Sequence, residues 1–344
     1  MTQNMDNKPK VKRETKNKIR VEFERTSLKE RLKSKYLSMY FLKRVAWFLF
    51  RLLLLIGIAF VVIQPFITMI TKSIMEAHDF DDRTVVVVPR NLSLAIYKAI
   101  ITDAHYFGVF FRTLGLSLIC ALLQTFSCCL IGYGLAKFKF RGAKAVFLCV
   151  VLTLAIPHGT MQAAISHHFR YFDIYGIIKL ITGKTIDMTE SIIPLVLLSA
   201  TGLAFKNGLY IFMLRQFFRG VPDELEESAY LDGAGTFRTF IQVILPLSVP
   251  MMITVFLFAF CWQWTDDFYI PLFFKLDKPL LMTYLPSSSL TSLDIITKSI
   301  HNGEGYRAAM EYGCGIMACL PLIILFLFCQ KYLVQGIERS GITG

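Results

Sequence analysis

Six runs of apolar residues constrain this chain more than any other feature. They fall at roughly Val45–Ile70, Phe107–Ala136, Ala145–Ile165, Ser191–Phe218, Leu247–Tyr269 and Ala309–Leu333. A helix of about 20 apolar residues is long enough to cross the hydrocarbon layer of a bilayer. Hydrophobic residues make up 54% of the chain and charged ones only 18%, a balance too apolar for an ordinary water-soluble domain. The expected fold class is therefore all-α: a polytopic membrane protein with six transmembrane helices.

The charges are clustered. The formal net charge is +12, and the basic residues crowd a polar N-terminal tail (Lys8, Lys10, Lys12, Arg13, Lys16, Lys18 and Arg20) and short loops beside the apolar runs. Lys137, Lys139, Arg141 and Lys144 follow the second run, and Arg215 and Arg219 close the fourth. This is the distribution of the positive-inside rule. It speaks against nucleic acid as a partner and puts both termini in the cytoplasm. Residues 1–40 read as a basic cytoplasmic tail with a helical stretch near Leu28–Leu37; residues 41–344 read as the membrane domain. The segments Lys72–His105 and Pro271–Arg307 then lie outside. Within the first, Val85–Val88 reads as a short extended piece stopped by Pro89, and Gln64-Pro65 marks a bend near the outer end of the first span.

One polar stretch, Pro222–Pro250, interrupts the apolar pattern. It opens like a helix: Pro222 suits a first turn, and Asp223, Glu224, Glu226 and Glu227 suit a positive helix N-terminus. Leu225, Ala229 and Tyr230 form an apolar stripe at helical spacing. Asp232-Gly233 should end the helix, because glycine takes left-handed backbone angles without strain. A second helix, Gly235–Ile244, leads to Leu245-Pro246 and the next span. The pattern by itself fits any amphipathic loop between two spans.

The spacing is more specific. Glu227-Ser228-Ala229, two residues, Asp232-Gly233, nine residues, Val243, one residue and Leu245-Pro246 resembles the cytoplasmic signature loop of ABC-importer membrane subunits. Ser228 and Val243 stand where that family has Ala and Ile. Gly132-Tyr133-Gly134-Leu135-Ala136-Lys137-Phe138-Lys139-Phe140-Arg141-Gly142 resembles the family's inner turn. Pro89, Asn91 and Tyr97 resemble its first external loop, and Trp264-Thr265-Asp266 an aromatic-acidic cluster at the end of its fifth span. Arg112-Thr113 departs from the family's Asn-Thr or Asn-Ser. The C-terminal segment 330–344 resembles that of carbohydrate-uptake members.

The resemblance implies a subunit of a heteromeric importer in a bacterial plasma membrane. Its partners would be a second homologous permease subunit, two ATP-binding subunits and an extracytoplasmic solute-binding protein. The chain itself would carry no cofactor and catalyse no reaction, with ATP and magnesium bound on the ATPase partners. The loop 220–246 would be the coupling loop, docking on the ATPase through Glu227, Ser228, Ala229, Asp232, Gly233, Ala234, Leu245 and Pro246. Glu227 would make the charged contact. ATPase closure would shift spans three to five between inward- and outward-facing states. Trp262, Gln263, Trp264 and Asp266 are candidates for the substrate path, since sugars suit aromatic platforms beside polar groups; tryptophans at a span end also serve as interface anchors.

Other motifs carry less. Gly183-Lys184-Thr185 mimics the end of a phosphate-binding loop, but the first glycine that loop needs is replaced by Ile178. The eight cysteines fall in or beside apolar runs and have no metal-ligand spacing, so they read as small packing residues. His158, Gln162, His167 and His168 read as facing water or a cavity. The competing function, an ATP-independent channel or secondary transporter, would place ionisable residues within the spans, and the span centres are nearly free of them.

Overall fold

The computed structural model describes residues 11–14, 18–21, 39–204, 206–274, 285 and 290–341. The chain divides into two units, residues 1–67 and 68–344. The first holds a short antiparallel hairpin, β1 (Val11–Glu14) and β2 (Lys18–Val21), an addition to the all-helical expectation. It also holds most of helix α1 (Met39–Ser73), which runs unbroken through Pro65. The stretch Leu28–Leu37 lies outside the described residues.

The second unit is helical: α2 (Ala95–Thr102), α3 (Tyr106–Lys137), α4 (Ala143–Ala155), α5 (His158–Arg170), α6 (Ile177–Thr182), α7 (Ile193–Ala200), α8 (Asn207–Arg219), α9 (Glu224–Leu231), α10 (Thr236–Trp264), α11 (Tyr269–Phe273), α12 (Asp294–Ser299) and α13 (Gly303–Gly341). Among the described residues, four helices are long and apolar enough to cross a membrane: Lys43–Ser73, Tyr106–Lys137, Thr236–Trp264 and Gly303–Leu333. They correspond to the expected spans one, two, five and six.

The other two expected spans are not continuous helices. Span three is bent by 111° between α4 and α5. Pro157 has no N–H, and Ile156 before it is extended, with φ −77° and ψ 122°, as a residue preceding proline tends to be. Span four is broken between α7 and α8, where Gly202 takes φ +74°. Helix α3 covers this break. Gln124 Nε2 donates to Ser199 Oγ at 3.3 Å, Ser127 Oγ to the Ser199 carbonyl at 2.9 Å, and Cys128 Sγ to the Asn207 carbonyl at 3.8 Å.

Helix α3 is the centre of the packing, lying along α8, α10 and α7. Its buried positions include Tyr106, Val109, Thr113, Ser117, Ala121, Gln124, Cys128 and Gly132, separated by three or four residues so that they share one face, with Tyr133 buried beside the last. Several are small or weakly polar, while Phe107, Phe111, Leu122, Phe126 and Leu130 point outward. Lipid tails are as apolar as leucine, so helices in a bilayer gain by close packing of small residues instead. Gly208 on α8 shows how close: a β-carbon there would lie 2.4 Å from Thr153 Oγ1 and 3.1 Å from the Val150 carbonyl of α4.

The loop between α1 and α2 is ordered by one carboxylate. Asp79 is 4% exposed and accepts hydrogen bonds from the Arg90 N–H at 2.9 Å, the Asn91 N–H at 2.8 Å and Asn91 Nδ2 at 2.9 Å. Tyr97 Oη lies 2.7 Å from Ser73 Oγ. Val85–Val88 forms bends instead of the extended piece expected; Asp82 Oδ1 accepts from both the N–H and the hydroxyl of Thr84, which turns the chain just before it. Of the cysteines, Cys120, Cys128, Cys129 and Cys314 are buried, whereas Cys149 and Cys319 are exposed and do not pack inside.

Candidate functional site

The polar stretch folds as a helix, a turn and a second helix. Helix α9 ends in a left-handed glycine: Gly233 has φ +81°. The Ala234 N–H donates to the Ala229 carbonyl and the Gly233 N–H to the Tyr230 carbonyl, both at 3.0 Å. That pair of bonds is the Schellman arrangement, which satisfies carbonyls a helix end leaves free. After Gly235 the chain re-enters a helix, passes through a π-helical segment at Phe240–Ile244, and continues as α10.

One face of this stretch is anchored. Tyr133 Oη donates to Glu226 Oε1 at 2.9 Å, and Lys137 Nζ donates to the Val221 carbonyl at 2.7 Å and Asp223 Oδ1 at 2.5 Å. The Tyr133 ring packs against Phe240 at 4.7 Å and Phe218 at 5.5 Å between centroids. The hydrogen bond and charge of Lys137 hold the Asp223 carboxyl below its ordinary value.

The opposite face is open. Glu227, Ser228, Asp232, Gly233 and Pro246 are exposed, and Ala229, Ala234 and Leu245 are half-buried. Apolar side chains share that exposure, Leu231 at 90% and Phe237 at 73%. Of the apolar stripe, Leu225 and Tyr230 are exposed, and the buried residue of α9 is Glu226.

A second feature lies at the other end of α10. A cavity of about 300 Å³ has a largely apolar wall set with polar groups: Gln124 of α3, Ser199 of α7, Lys206 and Tyr210 at the span-four break, and Gln263 and Asp266, with Trp262 beside them. Trp262 is half exposed, with Lys206 Nζ 4.1 Å from its ring centroid. Asp266 accepts from the backbone N–H groups of Phe268 and Tyr269 at 3.0 Å and from Gln263 Nε2 at 3.2 Å.

Three of the four candidate path residues meet here, and the fourth does not. Trp264 is 1% exposed. It donates from Nε1 to the Ala318 carbonyl at 3.0 Å and packs against Phe110 and Phe260. Successive residues on a helix point about 100° apart, so Trp262 and Trp264 cannot share one wall. Lys206, Gln124 and Ser199 were passed over in the sequence. The signal available for the first was Lys206-Asn207-Gly208, a polar tripeptide inside an apolar run.

Long apolar helices with small inner faces, one expected span broken beside a cavity, define a polytopic helical membrane protein. Residues 129–339 match the family of binding-protein-dependent transport system inner membrane components, and the chain belongs to that family. It is 27% identical over 241 residues to the arabinooligosaccharides transport system permease protein AraQ of Bacillus subtilis, covering 70% of this chain and 74% of that one. It is 27% identical to the maltodextrin transport system permease protein MalD of Streptococcus pneumoniae (85% and 94% covered). It is 26% identical to the diacetylchitobiose uptake system permease protein DasC of Streptomyces coelicolor (85% and 94% covered). The fold is also that of a chain from a crystallised bacterial ABC transporter involved in import of the acidic polysaccharide alginate. The TM-score is 0.65 at 16% identity, with 84% of this chain and 97% of that chain covered.

Proposed function

We propose that this chain is the membrane-spanning subunit of an ATP-driven importer of oligosaccharides. It would sit in a bacterial plasma membrane with both termini cytoplasmic and six passes, two of them discontinuous. Its partners are a second, homologous permease, two ATP-binding subunits and an extracytoplasmic solute-binding protein. ATP and magnesium bind on the ATPase subunits and hydrolysis occurs there.

The observation that carries this reading is the stretch 222–246 in a chain of this family. A short helix capped at Gly233 is held against the rest on one side and offers Glu227 and Leu231 on the other, with Phe237 exposed just past the turn. Coupling needs an element that moves as one piece between two positions, and such a helix qualifies. The exposed apolar and acidic face fits a groove on the ATPase.

Relatives whose names specify oligosaccharide transport support the substrate class. The cavity is compatible with it: Trp262 offers a ring, and Gln124, Ser199 and Gln263 offer hydrogen-bonding groups. Its volume, about 300 Å³, is at the lower end of small-molecule sites, so it would hold one sugar unit, with the second permease completing the path.

The test is reconstitution of the complex in liposomes, with arabino-oligosaccharides and maltodextrins offered separately. ATP-dependent uptake and binding-protein-stimulated hydrolysis are expected with at least one. Solute flux that needs no ATP would replace this reading with a channel or secondary transporter.

A further inference from the structure

In the sequence Lys137 is one of several basic residues marking a loop. In the structure its side chain is only 8% exposed. Its ammonium group bonds the Val221 carbonyl and Asp223 and stands 4.0 Å from Glu226 Oε2. One turn earlier, Tyr133 bonds the other oxygen of the same Glu226. The last two turns of α3 thus grip the start of α9 and the residues just before it at three points, Val221, Asp223 and Glu226.

The grip is notable for where α3 lies in the chain. Helix α9 is joined covalently to α8 and α10, and both would follow it. Helix α3 ends more than eighty residues earlier; it packs along α8 and α10, and the contacts of Lys137 and Tyr133 tie it to α9 itself. Toward its other end α3 carries Gln124, which lines the cavity and bonds Ser199. The thirteen residues from Gln124 to Lys137 rise about 20 Å in one helix.

We propose that Lys137 and Tyr133 are positioning residues for coupling: they make α3 move with α9, so that displacement of the docking helix reaches the cavity wall. The Glu226 carboxylate is buried between the two donors. Removing one donor leaves a buried charge short of a partner, which weakens such a contact more than an exposed pair would suffer. This inference rests on the reading of the chain as an importer subunit.

The test uses the full complex with its ATPase subunits, spin-labelled at Glu224 of α9 and Leu122 on the outer face of α3. Their distance is measured in the nucleotide-free state and in the state trapped with ATP and vanadate. In the wild type it stays constant. In Lys137→Met combined with Tyr133→Phe it shifts by several ångströms on trapping, while the ATPase still co-purifies and hydrolyses ATP. Lys137→Arg restores the constant distance. Tyr133→Phe alone keeps the ring packed on Phe240 and gives an intermediate shift, which separates lost coupling from a fold that has failed. A constant distance in the double variant overturns the inference alone. A wild-type chain that captures no ATPase overturns it together with the importer reading.

Discussion

Gly132 and Leu214 leave no room for a methyl group between them: a β-carbon on Gly132 would stand 3.0 Å from the Leu214 Cβ and 3.1 Å from the Arg215 nitrogen. Both neighbours belong to α8, and a backbone atom cannot swing aside. Gly132→Val should therefore push α3 and α8 apart and destabilise the protein by about 1–3 kcal/mol, the usual cost of overpacking. The thermal midpoint in detergent measures this. A midpoint equal to the wild type's would mean the two helices are not in contact there.

Gly233 presents the opposite case. A β-carbon there would meet nothing within 4 Å, so a substitution affects only the backbone, which has φ +81°. Gly233→Val should cost about 1–3 kcal/mol of local strain and leave the transmembrane helices inserted. Gly233→Asn should be milder, since Asn tolerates the left-handed region. In reconstituted complex, Val should abolish substrate-stimulated ATP hydrolysis and Asn should retain part of it. Wild-type hydrolysis by the Val variant would remove the turn from the coupling mechanism.

The two tryptophans of α10 should separate cleanly. Trp264→Ala removes a buried indole and its bond to Ala318, and should cost about 3–5 kcal/mol of stability. Trp262→Ala should barely change stability and should weaken solute uptake. Thermal midpoint and uptake kinetics, measured side by side, decide it; stability loss in Trp262→Ala with normal uptake would assign that ring to packing.

Acid should loosen the loop between α1 and α2. Burial alone would raise the Asp79 carboxyl, but hydrogen bonds from Asn91 and Arg90 outweigh it and hold the group below its ordinary 3.8. A depressed folded pKa stabilises above the unfolded value and is lost as pH falls through the folded one. Protease sensitivity of the segment 76–94 should rise below about pH 4. Asp79→Asn should be sensitive at neutral pH as well and show a flatter acid response. An identical acid profile in both would mean Asp79 does not control the loop.

Topology can be read with an impermeant thiol reagent in a cysteine-silent background. A cysteine at Asp81 should react from outside, and cysteines at Gly142 or Thr236 should not. Labelling at Thr236 from outside would place the docking stretch on the wrong side for an ATPase.

Hydropathy made the continuous spans legible because helices such as α3 and α10 hold an unbroken apolar window long enough to cross a bilayer. It could not register the break in span four, since a window average absorbs Thr201-Gly202 and Lys206-Asn207 among their apolar neighbours. The Asp232-Gly233 turn was legible for a local reason: glycine alone takes that backbone conformation freely. The inward face of α9 was not, because Tyr133 and Lys137, more than eighty residues away, reward a buried glutamate over a buried leucine. Motif spacing singles out Glu227; only the tertiary contacts reveal Glu226 beside it as the anchored one. Trp262 and Trp264 look alike in the chain and differ only in which neighbours their helix turns them toward.

The break in the expected fourth span also bears on how the chain is made. Helix α7 has eight residues and α8 thirteen, so even the longer half rises about 20 Å and falls short of a hydrocarbon layer about 30 Å thick. Neither half is a self-sufficient stop for an insertion machine, and carbonyls at the break cannot be left facing lipid. At the break, Ser127 of α3 meets the Ser199 carbonyl in the last turn of α7, where a helix leaves carbonyls free, and Cys128 of α3 also reaches the Asn207 carbonyl. Helix α3 leaves the ribosome first, so the acceptors emerge after their donors. Synthesis from N- to C-terminus is thus an order that suits this fold, and a permutation that delivered α7 and α8 before α3 is expected to insert less well.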